Sequence, residues 1–135
     1  MTPEELVQQA LNARSLAYAP YSKFRVGAAL LAEDGRVFLG ANVENASYGL
    51  TNCAERSAVF HAVNSGARRF RALAVATEPG ASMCGACRQV MREFAIDLPV
   101  YLADATGRYR TTSLAQLLPD SFGPDSLGID PTRES

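Results

Sequence analysis

The segment from Phe24 to Leu39 reads FRVGAALLAEDGRVFL and decides the fold. Its nearly continuous apolar run from Phe24 to Ala32 is typical of a strand that is covered on both faces. Asp34-Gly35 is a strong signal for a tight hairpin turn, after which Val37-Phe38-Leu39 return the chain as an antiparallel partner. The segment therefore predicts a two-stranded hairpin whose first strand is buried.

Helices and strands alternate along the rest of the chain. Thr2 and Glu5 form a capping box around Pro3, which is typical of a helix start. Gly66 and Pro99 each follow a stretch with helical periodicity and indicate its end. We expect helices at about 3–18, 53–64, 84–96 and 113–118, and further strands at 70–76, 100–103 and 109–112.

The order of these elements predicts an α/β domain. The strands at 70–76 and 100–103 are joined through a helix, so they must lie parallel, whereas the hairpin is antiparallel. A mixed sheet with helices on its faces follows. We expect residues 1–135 to form one domain, with a flexible tail from about residue 125, where Gly and Pro are frequent.

Composition excludes several classes of protein. Hydrophobic residues make up 47% of the chain and charged residues 20%, a balance that excludes intrinsic disorder. Thirteen basic and fourteen acidic side chains leave no basic excess, so we expect no nucleic-acid partner. The acidic N-terminus is unlike an export signal, and the longest apolar run, Val26 to Ala32, is too short for a membrane span. A cytoplasmic location without a membrane partner is the expectation.

The three cysteines indicate a metal site. An odd count does not suit a secreted disulfide framework. Cys53 begins one predicted helix, while Cys84 and Cys87 begin another and share a helix face. Helix N-termini lower the pKa of thiols and stabilise thiolates, and sulfur donors favour Zn²⁺ over harder cations. We predict one Zn²⁺ per chain, bound by Cys53, Cys84 and Cys87.

The number of ligands favours a catalytic rather than a structural zinc. The single histidine, His61, lies eight residues after Cys53 on the same helix, about 12 Å along its axis, so it cannot reach the ion. Three protein ligands with one open position are typical of catalytic zinc. Glu55 is the natural proton carrier beside a water molecule in that position, and Arg56 is placed to offset the thiolate charge.

Four stretches carry a resemblance to a known family. They are YSKFRVGAAL from Tyr21, NVENASYGLTNCAER from Asn42, CGACRQ from Cys84 and LLPDSFGP from Leu117. Together they resemble the small homotetrameric cytidine deaminases over nearly the whole chain. The resemblance implies a three-layer α/β/α sandwich around a mixed five-stranded sheet.

The same resemblance implies a reaction. It is the hydrolytic deamination of cytidine and 2′-deoxycytidine to uridine and 2′-deoxyuridine, with release of ammonia, in pyrimidine salvage. An activated water attacks C4 of the cytosine ring, while Glu55 protonates the ring nitrogen and then the departing amine. The partner is therefore a small nucleoside.

The resemblance also implies which residues bind the nucleoside. Asn42 and Glu44 recognise the ribose, whose hydroxyls suit amide and carboxylate partners. Phe24 lines the pyrimidine pocket, and the backbone N–H of Ala54 binds the base carbonyl. Tyr48 matches a position that family members lend to a neighbouring subunit.

Phe122 matches a second such position, so the resemblance implies a homotetramer with shared sites. One departure is Met83, because the family usually has proline before the first cysteine of this motif. We expect a less rigid loop there, with a stability effect of at most about 0.4–1 kcal/mol. We expect Met83 to pack rather than to coordinate the metal.

The same residues also have simpler structural interpretations. Cys-x-x-Cys alone also suits a redox dithiol, and Glu55 could be a solvated first-turn carboxylate. Asn42 and Glu44 could satisfy a loop, and the aromatic residues could be packing residues. Arg68, Arg69 and Arg71 are expected to form a solvated edge.

Two other functions compete with nucleoside deamination. One is the deamination of a cytosine-containing antibiotic such as blasticidin S, whose enzymes share the Cys-Ala-Glu and Cys-Gly-x-Cys motifs. The other is a noncatalytic, zinc-stabilised interaction module. Asn42-x-Glu44 followed by Ser47-Tyr48-Gly49 favours the nucleoside enzyme.

Overall fold

The computed structural model describes residues 1–133 of the chain. Short 3-10 turns follow the first helix and precede the second. The regular elements in this part of the chain are α1 (Pro3–Ala13), β1 (Gly27–Ala32), β2 (Val37–Ala41), α2 (Ala54–Asn64), β3 (Phe70–Ala76), α3 (Gly85–Arg92), β4 (Pro99–Ala103), β5 (Tyr109–Ser113) and α4 (Leu114–Leu117).

The five strands form one mixed sheet in the order β2-β1-β3-β4-β5. β3 and β4 are parallel, and every other neighbouring pair is antiparallel. The predicted hairpin is present, and Gly35 adopts a φ of 95° in its turn, a conformation that favours glycine. The predicted sheet is therefore confirmed, including its parallel pair.

Helices cover both faces of the sheet. Ala29 and Leu31 of β1 face a core formed with α1, whereas Ala28 and Leu30 face a second core beneath α2 and α3. Successive side chains of a strand point to opposite faces, so β1 contributes to both cores and reads as a continuous apolar run. The three-layer α/β/α sandwich that the resemblance implies is confirmed.

The start of α2 lies unusually close to the sheet. A Cβ at Gly40 of β2 would clash with the carbonyl oxygen of Ala54 and the backbone nitrogen of Ala58. Both alanines are fully buried. This close packing of small residues fixes the N-terminus of α2, where Cys53 and Glu55 lie.

Some predicted boundaries are wrong. α1 ends at Ala13 and continues only as a 3-10 turn over Arg14–Leu16, so the helix does not extend to residue 18. β1 begins at Gly27 rather than at Phe24, because the N–H of Val26 donates to the Asn42 side chain at 2.9 Å.

The third helix is also shorter than predicted. α3 ends at Arg92 rather than at residue 96, because the N–H groups of Phe94 and Ala95 both donate to the carbonyl of Met91 and close the helix with a turn. β3, by contrast, has both of its predicted bounds.

The C-terminal segment contains a 3-10 turn over Pro124–Leu127. The flexible tail from about residue 125 stays a prediction, and residues 134–135 of that tail lie outside the described residues. Among residues 1–133, the helices are all too short or too polar to span a bilayer.

Candidate active site

Three cysteine sulfurs converge where two helices begin. Cys53 is the N-cap of α2 and Cys84 is the N-cap of α3, while Cys87 lies in the first turn of α3. Their Sγ atoms all lie within 4.8 Å of one another, and the Sγ atoms of Cys53 and Cys84 are 3.8 Å apart. The predicted convergence of the thiols at helix N-termini is confirmed.

Hydrogen-bond donors from both helices contact this sulfur cluster. The backbone N–H of Cys87 donates to Cys84 Sγ at 3.4 Å, and Arg56 Nη2 donates to Cys53 Sγ at 3.2 Å. Arg56 Nε is buried and has no hydrogen-bond partner among residues 1–133. Arg56 as a whole is half-buried, and its guanidinium compensates negative charge on Cys53.

The cluster favours a thiolate at Cys53. A hydrogen bond from Cys87 and the nearby Arg56 guanidinium lower the pKa of Cys53 to about 5. The pKa of Cys87 is raised, because this thiol donates to Cys53 and is buried. Three soft donors, one already poised as a thiolate, suit Zn²⁺, whose binding displaces the remaining protons.

Glu55 is a buried carboxyl group beside the sulfurs. It is only 5% exposed, and its burial together with the negative charge of Cys53 raises its pKa to about 6. The interpretation of Glu55 as a solvated first-turn carboxylate is therefore wrong. A carboxyl group that titrates near neutral pH can both accept and donate a proton under physiological conditions.

A cavity of about 250 Å³ opens beside this cluster. It is concave and has mixed polar and apolar walls, which is typical of a small-molecule site. The predicted residues that it brings together are Phe24, Asn42, Glu44, Cys53, Ala54, Glu55 and Cys84.

The amide of Asn42 binds backbone groups of its own chain. Its Oδ1 accepts from the N–H of Val26 at 2.9 Å, and its Nδ2 donates to the carbonyl of Phe24 at 2.8 Å. Asn42 thus replaces a strand partner for residues 24–26 and holds that segment against the cavity. Asn42 lies in the cavity wall, and the plainer expectation that it satisfies a loop also holds, although its partners in residues 24–26 were not predicted.

Glu44 also connects the cavity to the neighbouring loop. Its Oε1 accepts from the N–H of Tyr21 at 2.9 Å and of Ser22 at 3.1 Å, and its Oε2 accepts from the Ser22 hydroxyl. The Ser22 hydroxyl bond lowers the pKa of Glu44, so this carboxyl group is ionised at neutral pH. Ser22 was not assigned a role from sequence, although it lies within the motif that begins at Tyr21.

Other cavity residues gave no sequence signal. Thr77 is buried, and its hydroxyl accepts from the N–H of Ala81 at 2.7 Å, which fixes the loop after β3. Val75 contributes apolar wall from the same strand. A valine within a strand and a single threonine after it have no distinctive spacing, so only the fold locates them at the site.

Tyr48 and Phe122 do not line the cavity of their own chain. Tyr48 is 76% exposed and contacts the ring of Tyr21 edge to face, and Phe122 is 62% exposed. The structure therefore does not bring these two residues to the sulfur cluster of the same chain.

His61, Met83, Arg69 and Arg71 do not line the cavity beside the sulfur cluster. The ring of His61 packs edge to face against Phe38 on the outer side of α2. Met83 is buried in the core beneath α2 and α3, and its carbonyl accepts from Arg88 Nε at 2.9 Å. Arg69 and Arg71 are exposed.

A cluster of sulfur donors beside a buried, proton-accepting carboxyl group at a cavity defines the class of zinc-dependent hydrolytic enzymes. Comparison with known proteins narrows this class. The family described as the cytidine and deoxycytidylate deaminase zinc-binding region matches residues 1–103.

Similar proteins cover nearly all of the chain. The cytidine deaminase of Sporosarcina psychrophila is 52% identical over 130 residues, which cover 94% of this chain and 96% of that protein. The crystal structure of cytidine deaminase from Burkholderia pseudomallei is 54% identical and has a TM-score of 0.87, covering 90% of this chain and all of that one. The corresponding structure from Mycobacterium tuberculosis is 44% identical with a TM-score of 0.77, covering 91% and 98%.

The chain therefore belongs to the cytidine and deoxycytidylate deaminase family. Its cofactor is Zn²⁺, in agreement with the family's zinc-binding region and with the three sulfur donors.

Replacing Arg56 with glutamine should shift zinc binding to higher pH. Arg56 lowers the pKa of Cys53, so its removal raises that pKa and lets protons compete with the metal at higher pH. We expect the midpoint of zinc binding, measured by competition with a chromophoric chelator, to rise by up to about one pH unit, and the onset of activity to follow. Arg71→Gln, at an exposed arginine, is the matched control. An unchanged midpoint in Arg56→Gln would contradict this account.

Proposed function

We propose that this protein catalyses the hydrolytic deamination of cytidine and 2′-deoxycytidine to uridine and 2′-deoxyuridine, with release of ammonia. The observation that carries the proposal is the buried Glu55 beside three sulfurs, at a cavity in a fold shared with solved cytidine deaminases. The antibiotic deaminase and the noncatalytic module are not favoured, because the similar proteins named above are cytidine deaminases.

Zinc binding is assigned to Cys53, Cys84 and Cys87. When bound, Zn²⁺ supplies a Lewis acid that lowers the pKa of water. Cys53 and Cys84 line the cavity and Cys87 is buried beside them, so these three residues would hold the ion from the cavity wall and from the core side. Arg56 keeps the sulfur-rich site from accumulating uncompensated negative charge.

Glu55 is the proton carrier of the reaction. With a pKa of about 6, it takes a proton from the attacking water and gives it to the ring nitrogen next to C4. The water oxygen bonds to C4, and the tetrahedral centre then collapses by breaking the bond to the amino nitrogen. Glu55 transfers the second water proton to that nitrogen, which leaves as ammonia.

Base recognition is assigned to Ala54 and Phe24. Ala54 is the first residue of α2, where a backbone N–H has no partner within the helix and can donate to the base carbonyl. The ring of Phe24 lines the same cavity and offers a face for the pyrimidine.

Sugar recognition is assigned to Glu44 and Asn42. The ionised Glu44 carboxylate lines the cavity and can accept from a ribose hydroxyl in addition to its bonds with the loop at Ser22. Asn42 contributes by holding residues 24–26 in place, and its amide oxygen retains a second lone pair for the sugar.

A homotetramer with shared sites is also part of the proposal. Tyr48 and Phe122 are large aromatic side chains that are mostly exposed, and such residues are enriched at protein interfaces. We assign them to the cavity of a neighbouring copy, where they would cover the nucleoside. Pyrimidine salvage in the cytoplasm is the corresponding physiological role, and the three free thiols suit a reducing compartment.

Glu55→Gln should retain zinc and lose activity. The amide keeps the shape of the side chain but cannot carry protons, so we expect cytidine turnover to fall by about 10²-fold or more. The assay combines zinc per chain with the loss of cytidine absorbance. Glu93→Gln, at an exposed acid outside the cavity, serves as the matched control. Full activity in Glu55→Gln would remove this residue from the mechanism.

Glu44→Gln should weaken the binding of ligands that carry a sugar. Replacing the ionised acceptor should raise the inhibition constant of uridine about tenfold or more, while that of 1-methyluracil, which lacks ribose, stays unchanged. Glu33→Gln, an exposed acid on the hairpin turn, is the control. Equal weakening of both ligands would mean that Glu44 acts only by holding the loop at Ser22.

A further inference from the structure

The C-terminal end of α3 holds a segment that the reaction itself does not explain. We call residues 117–125 the C-terminal strap. Arg92, the last residue of α3, has a side chain that is 5% exposed and donates to two residues of the strap. Its Nε lies 2.7 Å from Ser121 Oγ, and its Nη2 lies 2.7 Å from Asp125 Oδ1. A buried arginine with two short bonds is a rigid anchor.

The strap fits closely over this guanidinium. Gly123 lies directly against it, and a Cβ at this position would clash with three atoms of the Arg92 guanidinium. Because the guanidinium is buried and bonded on both sides of Gly123, it cannot move away without breaking those bonds. The backbone of the strap is thereby fixed at residues 121, 123 and 125.

Two more side chains of α3 bind the same strap. Gln89 Nε2 donates to the carbonyl of Phe122 at 2.9 Å, and Arg88 Nη1 donates to the carbonyl of Leu117 at 2.6 Å. The strap also contains Asp120 with a φ of 49°, a conformation uncommon outside glycine. Three side chains of α3 therefore hold the strap in place, while the ring of Phe122 on that strap is exposed.

These contacts constrain the direction in which Phe122 points. A free strap would let this ring collapse onto its own chain, and ordering it on binding would reduce affinity. The anchor lies at the opposite end of α3 from Cys84 and Cys87, so it acts on the strap and not on the metal. Arg92 is thus suited to fix Phe122 in advance.

We propose that Arg92 is a positioning residue for nucleoside binding, which fixes the C-terminal strap so that Phe122 enters the cavity of a second copy of the chain. The inference rests on the proposed function, because it takes Phe122 to cover a neighbouring copy's nucleoside. It adds the residue that makes this contact possible and explains why Gly123 lacks a side chain.

A double-mutant cycle tests the proposal on the zinc-loaded protein. Arg92→Met, Phe122→Ala and the double variant are compared with the wild type for KM and kcat with cytidine, together with zinc per chain and sedimentation. We expect Arg92→Met to raise KM about three- to tenfold with kcat and zinc nearly unchanged. In the Phe122→Ala background, the same substitution should raise KM no further, because both act through one contact.

Two further variants keep the test decisive if Arg92→Met folds poorly. Gly123→Ala retains Arg92 but forces its guanidinium away from Ser121 and Asp125, so it should reproduce the rise in KM. Arg92→Lys retains the charge and should restore part of the loss. Arg110→Met, at an exposed arginine on β5, is the control and should leave KM unchanged.

The kinetic results distinguish failure of the positioning role from failure of the shared site or of the proposed function. Independent effects of Arg92→Met and Phe122→Ala on KM, or an unchanged KM in both Arg92→Met and Gly123→Ala, would overturn the positioning role alone. An unchanged KM in Phe122→Ala would overturn the shared-site assignment and the inference with it. No cytidine turnover by the zinc-loaded wild type would overturn the proposed function itself.

Discussion

The site depends on one constraint, which is the convergence of three sulfurs from two helix N-termini. Cys53 and Cys84 are 31 residues apart in sequence, yet their Sγ atoms lie 3.8 Å apart. Negative charge at such short separations is unfavourable unless donors surround it, and here the helix starts and the Arg56 guanidinium provide them. A divalent cation at this cluster would complete the compensation.

The packing of α2 and α3 on the sheet brings the three sulfurs together. α2 and α3 pack on the same face of the sheet, and each begins near the carboxyl ends of β3 and β4. Gly40 and Ala54 allow α2 to approach the sheet closely, which fixes the height of Cys53 and Glu55. The same packing buries Glu55 and raises its pKa to about 6, so one structural feature sets both the position of Cys53 and the pKa of Glu55.

The parts of the molecule that follow local rules could be predicted from the sequence. β3 and the three cysteines at helix starts follow from apolar periodicity and thiol spacing. The partners of side chains that bond to groups far along the chain could not be predicted in this way. Asn42 replaces a ladder partner for Val26, which delays β1, and Arg92 finds its acceptors 29 and 33 residues away. No periodic pattern in the sequence signals either contact, because the folded chain determines which groups meet.

Zinc K-edge X-ray absorption of the purified protein would decide whether the zinc site is open, because it counts the ligands of the ion itself. We expect three sulfur ligands at about 2.3 Å and one oxygen ligand at about 2.0 Å, with the oxygen component altered when a pyrimidine nucleoside analogue is added. A fourth sulfur, a histidine signature or a spectrum that does not respond to the analogue would contradict an open, catalytic zinc site.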